Sequence, residues 1–188
     1  YGIYLHDSNN NGIDNNNCSN NYYSGIRLFQ SNNNSINSNN CSNNREGGIL
    51  LAYSSNNKLT NNILFGDGIF FYGNSLSHYE HEIDKSNKVN GKPVYYWKDV
   101  EGDAILDRAG QIILVNCKNV TVENQKLNET SVGIEIAFSS YITVNNNNFS
   151  NNRLKGISLD YSNYNIINGN NFLNNIDNSI HLRRSNNN

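Results

Sequence analysis

Gly25 to Asn44 reads GIRLFQSNNNSINSNNCSNN, and eight of its twenty residues are asparagine. Asparagine disfavours the interiors of helices and strands, so an ordered chain has to use it at turns. The stretch opens on Gly25-Ile26-Arg27-Leu28, a phrase that recurs at Gly2-Ile3-Tyr4-Leu5, Gly48-Ile49-Leu50-Leu51, Gly68-Ile69-Phe70-Phe71, Gly133-Ile134-Glu135-Ile136 and Gly156-Ile157-Ser158-Leu159. Gln111-Ile112-Ile113-Leu114 and Ser179-Ile180-His181-Leu182 are variants of it. Starts at 2, 25 and 48 are 23 residues apart, as are those at 133, 156 and 179.

Other columns keep the same register. Ser8, Ser31, Ser54, Cys117, Ser139, Ser162 and Ser185 each follow a start by six residues. Asn16, Asn39, Asn62, Gln125, Asn147 and Asn170 form a further file, and Cys18, Cys41, Leu64, Leu127, Phe149 and Phe172 another. Sharing a file with Leu and Phe, Cys18 and Cys41 read as small buried hydrophobes. Three cysteines cannot all pair internally, and none sits in a CxxC metal spacing.

Apolar alternation with period two, short strands and a repeat of 22 to 23 residues describe a β-solenoid, since helical repeats would show a 3.6-residue period. The expected fold is all-β: a right-handed, single-stranded parallel β-helix of about eight coils. Stacked about 4.8 Å apart, asparagines in one file can hydrogen-bond along it as a ladder. Eight coils in one stack would make a rod on the order of 35 to 40 Å long. Residues 1–188 read as one domain and, opening and closing in mid-pattern without methionine, as a piece of a longer protein.

The 188 residues are 36% hydrophobic and 16% charged with mean hydropathy -0.68, which alone leans toward disorder. Eleven per cent aromatic residues and a single proline oppose that. A net charge of -2 without clustered cations speaks against nucleic acid as a partner. No apolar run approaches the roughly 20 residues of a bilayer span, so no membrane contact is expected from this segment.

The register breaks once, with 43 residues separating Gly68 from Gln111. Residues 74–110 therefore read as an insertion, expected to fold back over the sheet face with Trp97 and Tyr95 or Tyr96 as anchors. The outward file Leu50, Ala52, Phe70, Tyr72, Ile113, Val115 and Ala137 would otherwise expose a large apolar patch.

The G-I-x-L-x-x-S-x-x-N pattern, with VNGKPVYYWKD and GQIILVNCKNVTVENQKLN, resembles the NosD-like and CASH-type right-handed parallel β-helix repeat family, in its archaeal-type surface-protein subgroup. The resemblance covers essentially the whole chain. It implies an extracellular or cell-surface location, periplasmic in a bacterium, and a carbohydrate-binding or scaffold role. It also implies, through the periplasmic member that names the family, an accessory role in copper-site maturation. This chain lacks methionine and any Cys-His cluster for that task.

Candidate site residues follow from the outward files. Glu135 and Asp160, on neighbouring coils about 8 Å apart, have the wide spacing of an inverting carboxylate pair, with His181 and Arg183 beside them. Arg183 could hold a uronate carboxylate. If the chain is a polysaccharide lyase, hydrolase or epimerase, these four carry the chemistry; otherwise they are a solvated ion-pair face. Phe138 over Tyr161 and Tyr141 over Tyr164, with Tyr72 and Trp97, are candidate sugar-stacking rings. His78 and His81, in His78-Tyr79-Glu80-His81-Glu82, are candidate metal ligands in a loop with no third ligand, so no metal and no cofactor is expected. N-x-S/T triplets fall at Asn17, Asn33, Asn40, Asn119, Asn128 and Asn148. The leading expectation is a non-catalytic surface scaffold or glycan-binding module whose partners are polysaccharide, further coils or other surface-protein subunits.

Overall fold

A computed structural model describes residues 1–105 and 107–188; Leu106, inside the expected insertion, lies outside them. Among the described residues every regular element is a short β-strand except one 3-10 turn at Leu76–Tyr79. The strands stack in the register read from the repeat: Ile3 lies beside Ile26, Ile26 beside Ile49, Ile134 beside Ile157 and Phe149 beside Phe172. All strand pairs are parallel except Lys88–Val89 with Lys92–Lys98. The fold is an all-β solenoid of about eight turns.

The asparagines divide into two jobs within one doublet. The first member takes a left-handed turn, as at Asn15, Asn33, Asn56, Asn61, Asn146 and Asn151 with φ between 52° and 58°. The second member points inward and builds the ladder. Asn39 Oδ1 accepts both the backbone and side-chain N–H of Asn16, while Asn39 itself donates to Asn62 Oδ1 and the Ile13 carbonyl. Serines do the same at the other corner, with Ser31 Oγ accepting the Ser8 N–H and donating to the Phe29 carbonyl. Buried turn backbone is thereby satisfied without water. Inside lie the apolar files, with Ile26, Leu28, Cys41, Leu64, Leu127 and Phe149 fully buried. All three cysteines are buried and free.

The coils form two stacks rather than one. Strands Ile3–His6, Ser24–Phe29, Gly47–Ala52 and Ile69–Tyr72 make one sheet, which ends there. Residues 82–89 close its last coil: Leu59 pairs with Ile83, and Leu64 with Val89. A left-handed turn at Asn90-Gly91 reverses the chain, and Lys92–Lys98 begins a second stack by pairing with Gln111–Val115. Strands Val132–Ala137, Lys155–Asp160 and Asn178–Arg183 continue it.

The first stack ends on the flank of the second. Outward residues Ile113, Val115 and Ala137 of the second stack belong to the apolar core of the first, packed with Phe71, Tyr79 and Val94. Its own inward residues, Ile112, Leu114, Ile134 and Ile136, form a separate core. Among the described residues the last strand of the first stack has no strand neighbour on its outer edge, and side chains of the second stack serve instead. Gln111 accepts the Ile69 N–H and donates to its carbonyl, Ser131 Oγ accepts the Gly68 N–H, and Glu135 accepts the Phe71 N–H.

Two expectations change accordingly. There is no single coaxial rod, because side chains rather than a strand meet the edge at Ile69–Tyr72. Nor is 74–110 mainly a flap: its strands supply the closing coil of one stack and the opening coil of the other. The segment from Gly73 to Tyr79 meets the second stack's outward residues, with Tyr79 its buried anchor; of the expected anchors Tyr96 packs here and donates to the Tyr79 carbonyl, and Trp97 does not. Trp97 pairs with Leu114 and packs against the interior of the second stack.

Candidate functional site

Glu135, Asp160, Arg183 and Tyr79 meet where the stacks join. Strand pairing sets Glu135 beside Ser158 and Asp160 beside Arg183 on consecutive coils, all with side chains outward. The arriving strand and 3-10 turn then bury them. Arg183 Nε donates to Asp160 Oδ1 at 2.7 Å, and its Nη2 reaches the Gly73 carbonyl and the Tyr79 hydroxyl. The Tyr79 hydroxyl in turn donates to Asp160 Oδ2 at 3.3 Å.

This disposition removes Glu135 and Asp160 from solvent, with 0% and 3% exposure. The sequence expectation that they face an open wall is therefore corrected, since the edge of the other stack occupies that wall. Burial, and next the nearby Asp160 carboxylate, push Glu135 well above the ordinary carboxylate range. One Glu135 oxygen accepts the Phe71 N–H while the other, like the neighbouring Ser158 hydroxyl, has no partner. His181, two coils beyond Glu135 in the same file, is half-buried and lowered by burial. The cluster joins the two stacks, with the carboxylate pair buried in the junction.

An aromatic band runs along the corner beside this cluster. Phe29, Tyr53 and Tyr72 follow one another edge to face at 5.7 and 5.4 Å, with His78 5.6 Å from Tyr53. The Arg183 guanidinium lies over Tyr72 at 4.6 Å and over Tyr161 at 5.5 Å, bridging the stacks. Phe138 and Tyr161 stack at 4.7 Å with planes 5° apart, and Arg184 donates to the Tyr161 hydroxyl. Tyr141 and Tyr164 form a second stacked pair, 5.6 Å apart and about half exposed. Sequence spacing finds the Phe138/Tyr161 pair; it misses Tyr53, whose neighbours Phe29 and Tyr72 sit one residue out of its own file on adjacent coils. Leu50 and Phe70, further out on the first sheet, line a cleft of about 180 Å³ with Ser24, Glu46 and Leu154.

His78 and His81 do not converge on one point. His81 Nδ1 accepts the Asn57 N–H, filling the ladder position held by Asn34 and Asn57 on preceding coils. Burial lowers it to about 3, so it is neutral. His78 Nδ1 accepts the Asn74 N–H. Among the described residues no group of three or more His, Cys, Asp or Glu could hold a metal ion. Of the N-x-S/T asparagines, Asn17, Asn33, Asn40 and Asn119 are exposed while Asn128 and Asn148 are half-buried.

Among the described residues no helix is long and apolar enough to cross a membrane. A family profile described as right handed beta helix region matches residues 1–105, and one described as periplasmic copper-binding protein (NosD) matches residues 84–188. No curated protein matches the chain.

Proposed function

The chain belongs to the right-handed β-helix family and, over its second stack, to the NosD family, and from that membership we propose an extracytoplasmic scaffold module that binds glycan along its corner aromatic band. The observation that carries the reading is a backbone cost. Tyr53, Phe138 and Tyr161 hold left-handed turns at φ 50°, 51° and 53°, in the turn position that other coils give to Asp7, Gln30 and Asn116. For bulky residues that conformation costs about 1–2 kcal/mol each. Placing rings there gains a half-exposed aromatic band whose uncovered edges and faces can lie against the apolar faces of sugar rings, with Arg183 and Arg184 beside them to meet hydroxyl or carboxylate oxygens.

Copper does not fit the residues present. The sequence has no methionine, and the NosD-matching half contributes one histidine, His181, and one cysteine, the buried Cys117. The described residues offer no cluster of donors to a metal. The family description's periplasmic location, unlike its ligand, agrees with the reading.

The test is a neutral and acidic glycan panel screened against the protein. Binding to at least one glycan is expected, weakened about tenfold or more by Tyr72→Ala or Tyr161→Ala and unchanged by Tyr22→Ala, which lies off the band. Wild type that retains no glycan, or binding indifferent to the band variants, would reject the proposal.

A further inference from the structure

The chain's fourteen lysines and arginines sort by partner. Lys58, Lys98, Lys118, Arg153 and Arg183 pair with carboxylates. Arg27, Arg45, Lys85, Lys155 and Arg184 lie over aromatic rings. Lys88 donates to the Lys85 carbonyl. The remaining three, Lys92, Arg108 and Lys126, have no carboxylate, ring or carbonyl partner among the described residues. These same three line one cavity of about 140 Å³, with Asn124 as the fourth wall.

Their convergence is fixed by backbone. Lys92 opens its strand directly after the Asn90-Gly91 turn. The segment carrying Arg108 is clamped on both sides, its Gly110 N–H donating to the Pro93 carbonyl at 2.9 Å and its Ala109 N–H to Gln125 Oε1 at 3.1 Å. Gln125 lies between Asn124, in a left-handed turn, and Lys126. Three positively charged side chains thus line one hollow, and among the described residues none of them is ion-paired. Asp107, next to Arg108, turns its Oδ2 to the Tyr95 hydroxyl and makes no ion pair with the three.

We propose that this cavity is an oxyanion site, taking a sulfate or phosphate either as a free ion or as an ester on a polysaccharide. An arginine fork, two ammonium groups and an amide supply charge-assisted donors from several directions, which suits a tetrahedral anion. At about 140 Å³ the hollow has room for one such ion. The site shares no residue with the aromatic band and does not depend on it.

The test is titration of the isotope-labelled protein at low ionic strength, where charge screening is weakest, with inorganic sulfate, inorganic phosphate, dextran sulfate and neutral dextran. Saturable shifts at the Asn124, Lys126 and Arg108 amides are expected with sulfate or phosphate, and none with neutral dextran. Lys92→Gln, Arg108→Gln or Lys126→Gln should each weaken binding about tenfold. The equal-charge controls Lys58→Gln and Lys118→Gln should stay within about twofold. Dextran sulfate tighter than sulfate identifies the polysaccharide ester as source, and equal affinity identifies the free ion. Tyr72→Ala leaves these titrations unchanged, which separates this site from the glycan band. Absence of saturation by any anion, shifts located elsewhere, or equal losses in pocket and control variants would overturn the proposal.

Discussion

Inside either stack the asparagine ladders hold their residue type over several coils, whereas at the junction the file changes. Asn11, Asn34 and Asn57 lead to His81; Asn21 and Asn44 lead to Asp67; the glycine that opens most coils becomes Gln111. The exceptions face the other stack. Asp67 meets Arg153, Gln111 holds Ile69, and the His81 N–H donates to the Tyr96 hydroxyl. Repetition encodes stacking, and these three departures from it mark where one stack stops and meets the next.

The largest expected effect lies in the repetitive region. Asn62→Ala strips the buried Asn39 N–H and Ile36 carbonyl of their partners. At about 1–3 kcal/mol for each stranded group, the loss is about 4 kcal/mol by urea unfolding. A loss below that of a surface substitution would break the claim that the ladder, rather than the apolar files alone, sets coil stability. At the junction Tyr79→Phe removes only the hydroxyl between Arg183 and Asp160, and about 2 kcal/mol is expected in the same assay.

The two titrating exceptions sharpen the comparison through pH, with opposite signs. Neutral His81, held at about 3 in the fold against 6.5 when free, contributes stability that is present above pH 6.5 and lost as pH falls toward 3. His81→Asn, which restores the ladder residue, should remove up to about 1.4 kcal/mol per pH unit from that acid slope. Burial raises Asp67 from 3.8 to about 7 despite Arg153, so its contribution declines as pH rises through that window. Asp67→Asn should flatten that decline. Unfolding midpoints measured from pH 3 to 8 check both, and slopes unchanged by either variant would contradict the assignment. The smallest effect is expected for Tyr141→Ala, whose exposed ring only stacks on Tyr164, at about 0.5–1 kcal/mol.

The columns of the repeat were legible residue by residue because in-register stacking converts a 23-residue period into contact, and the pairs Ile3–Ile26 and Phe149–Phe172 follow directly. The asparagine ladder was legible too, but the division of each Asn-Asn doublet into a left-handed member and an inward member needed the backbone. The coils inside 74–110 were not. Their strands Glu82–Ile83 and Lys88–Val89 are two residues long, no glycine introduces them, and His81 replaces the asparagine that would have marked the turn. The fate of Glu135 was equally hidden: what buries it, Phe71, lies 64 residues away in sequence. The alternation puts Glu135 outward correctly, but a local pattern carries no information about a strand edge arriving from another stack.

The central claim is that side chains of the second stack cap the open edge of the first. Amide hydrogen exchange at Ile69 and Phe71 tests it most directly, with Gln111→Ala as the perturbation. In the wild type both amides should exchange as slowly as Ile26 and Leu28 in the sheet interior, and the variant should release Ile69 selectively while Ile26 stays protected. Fast exchange at Ile69 in the wild type, or protection indifferent to Gln111→Ala, would contradict the account.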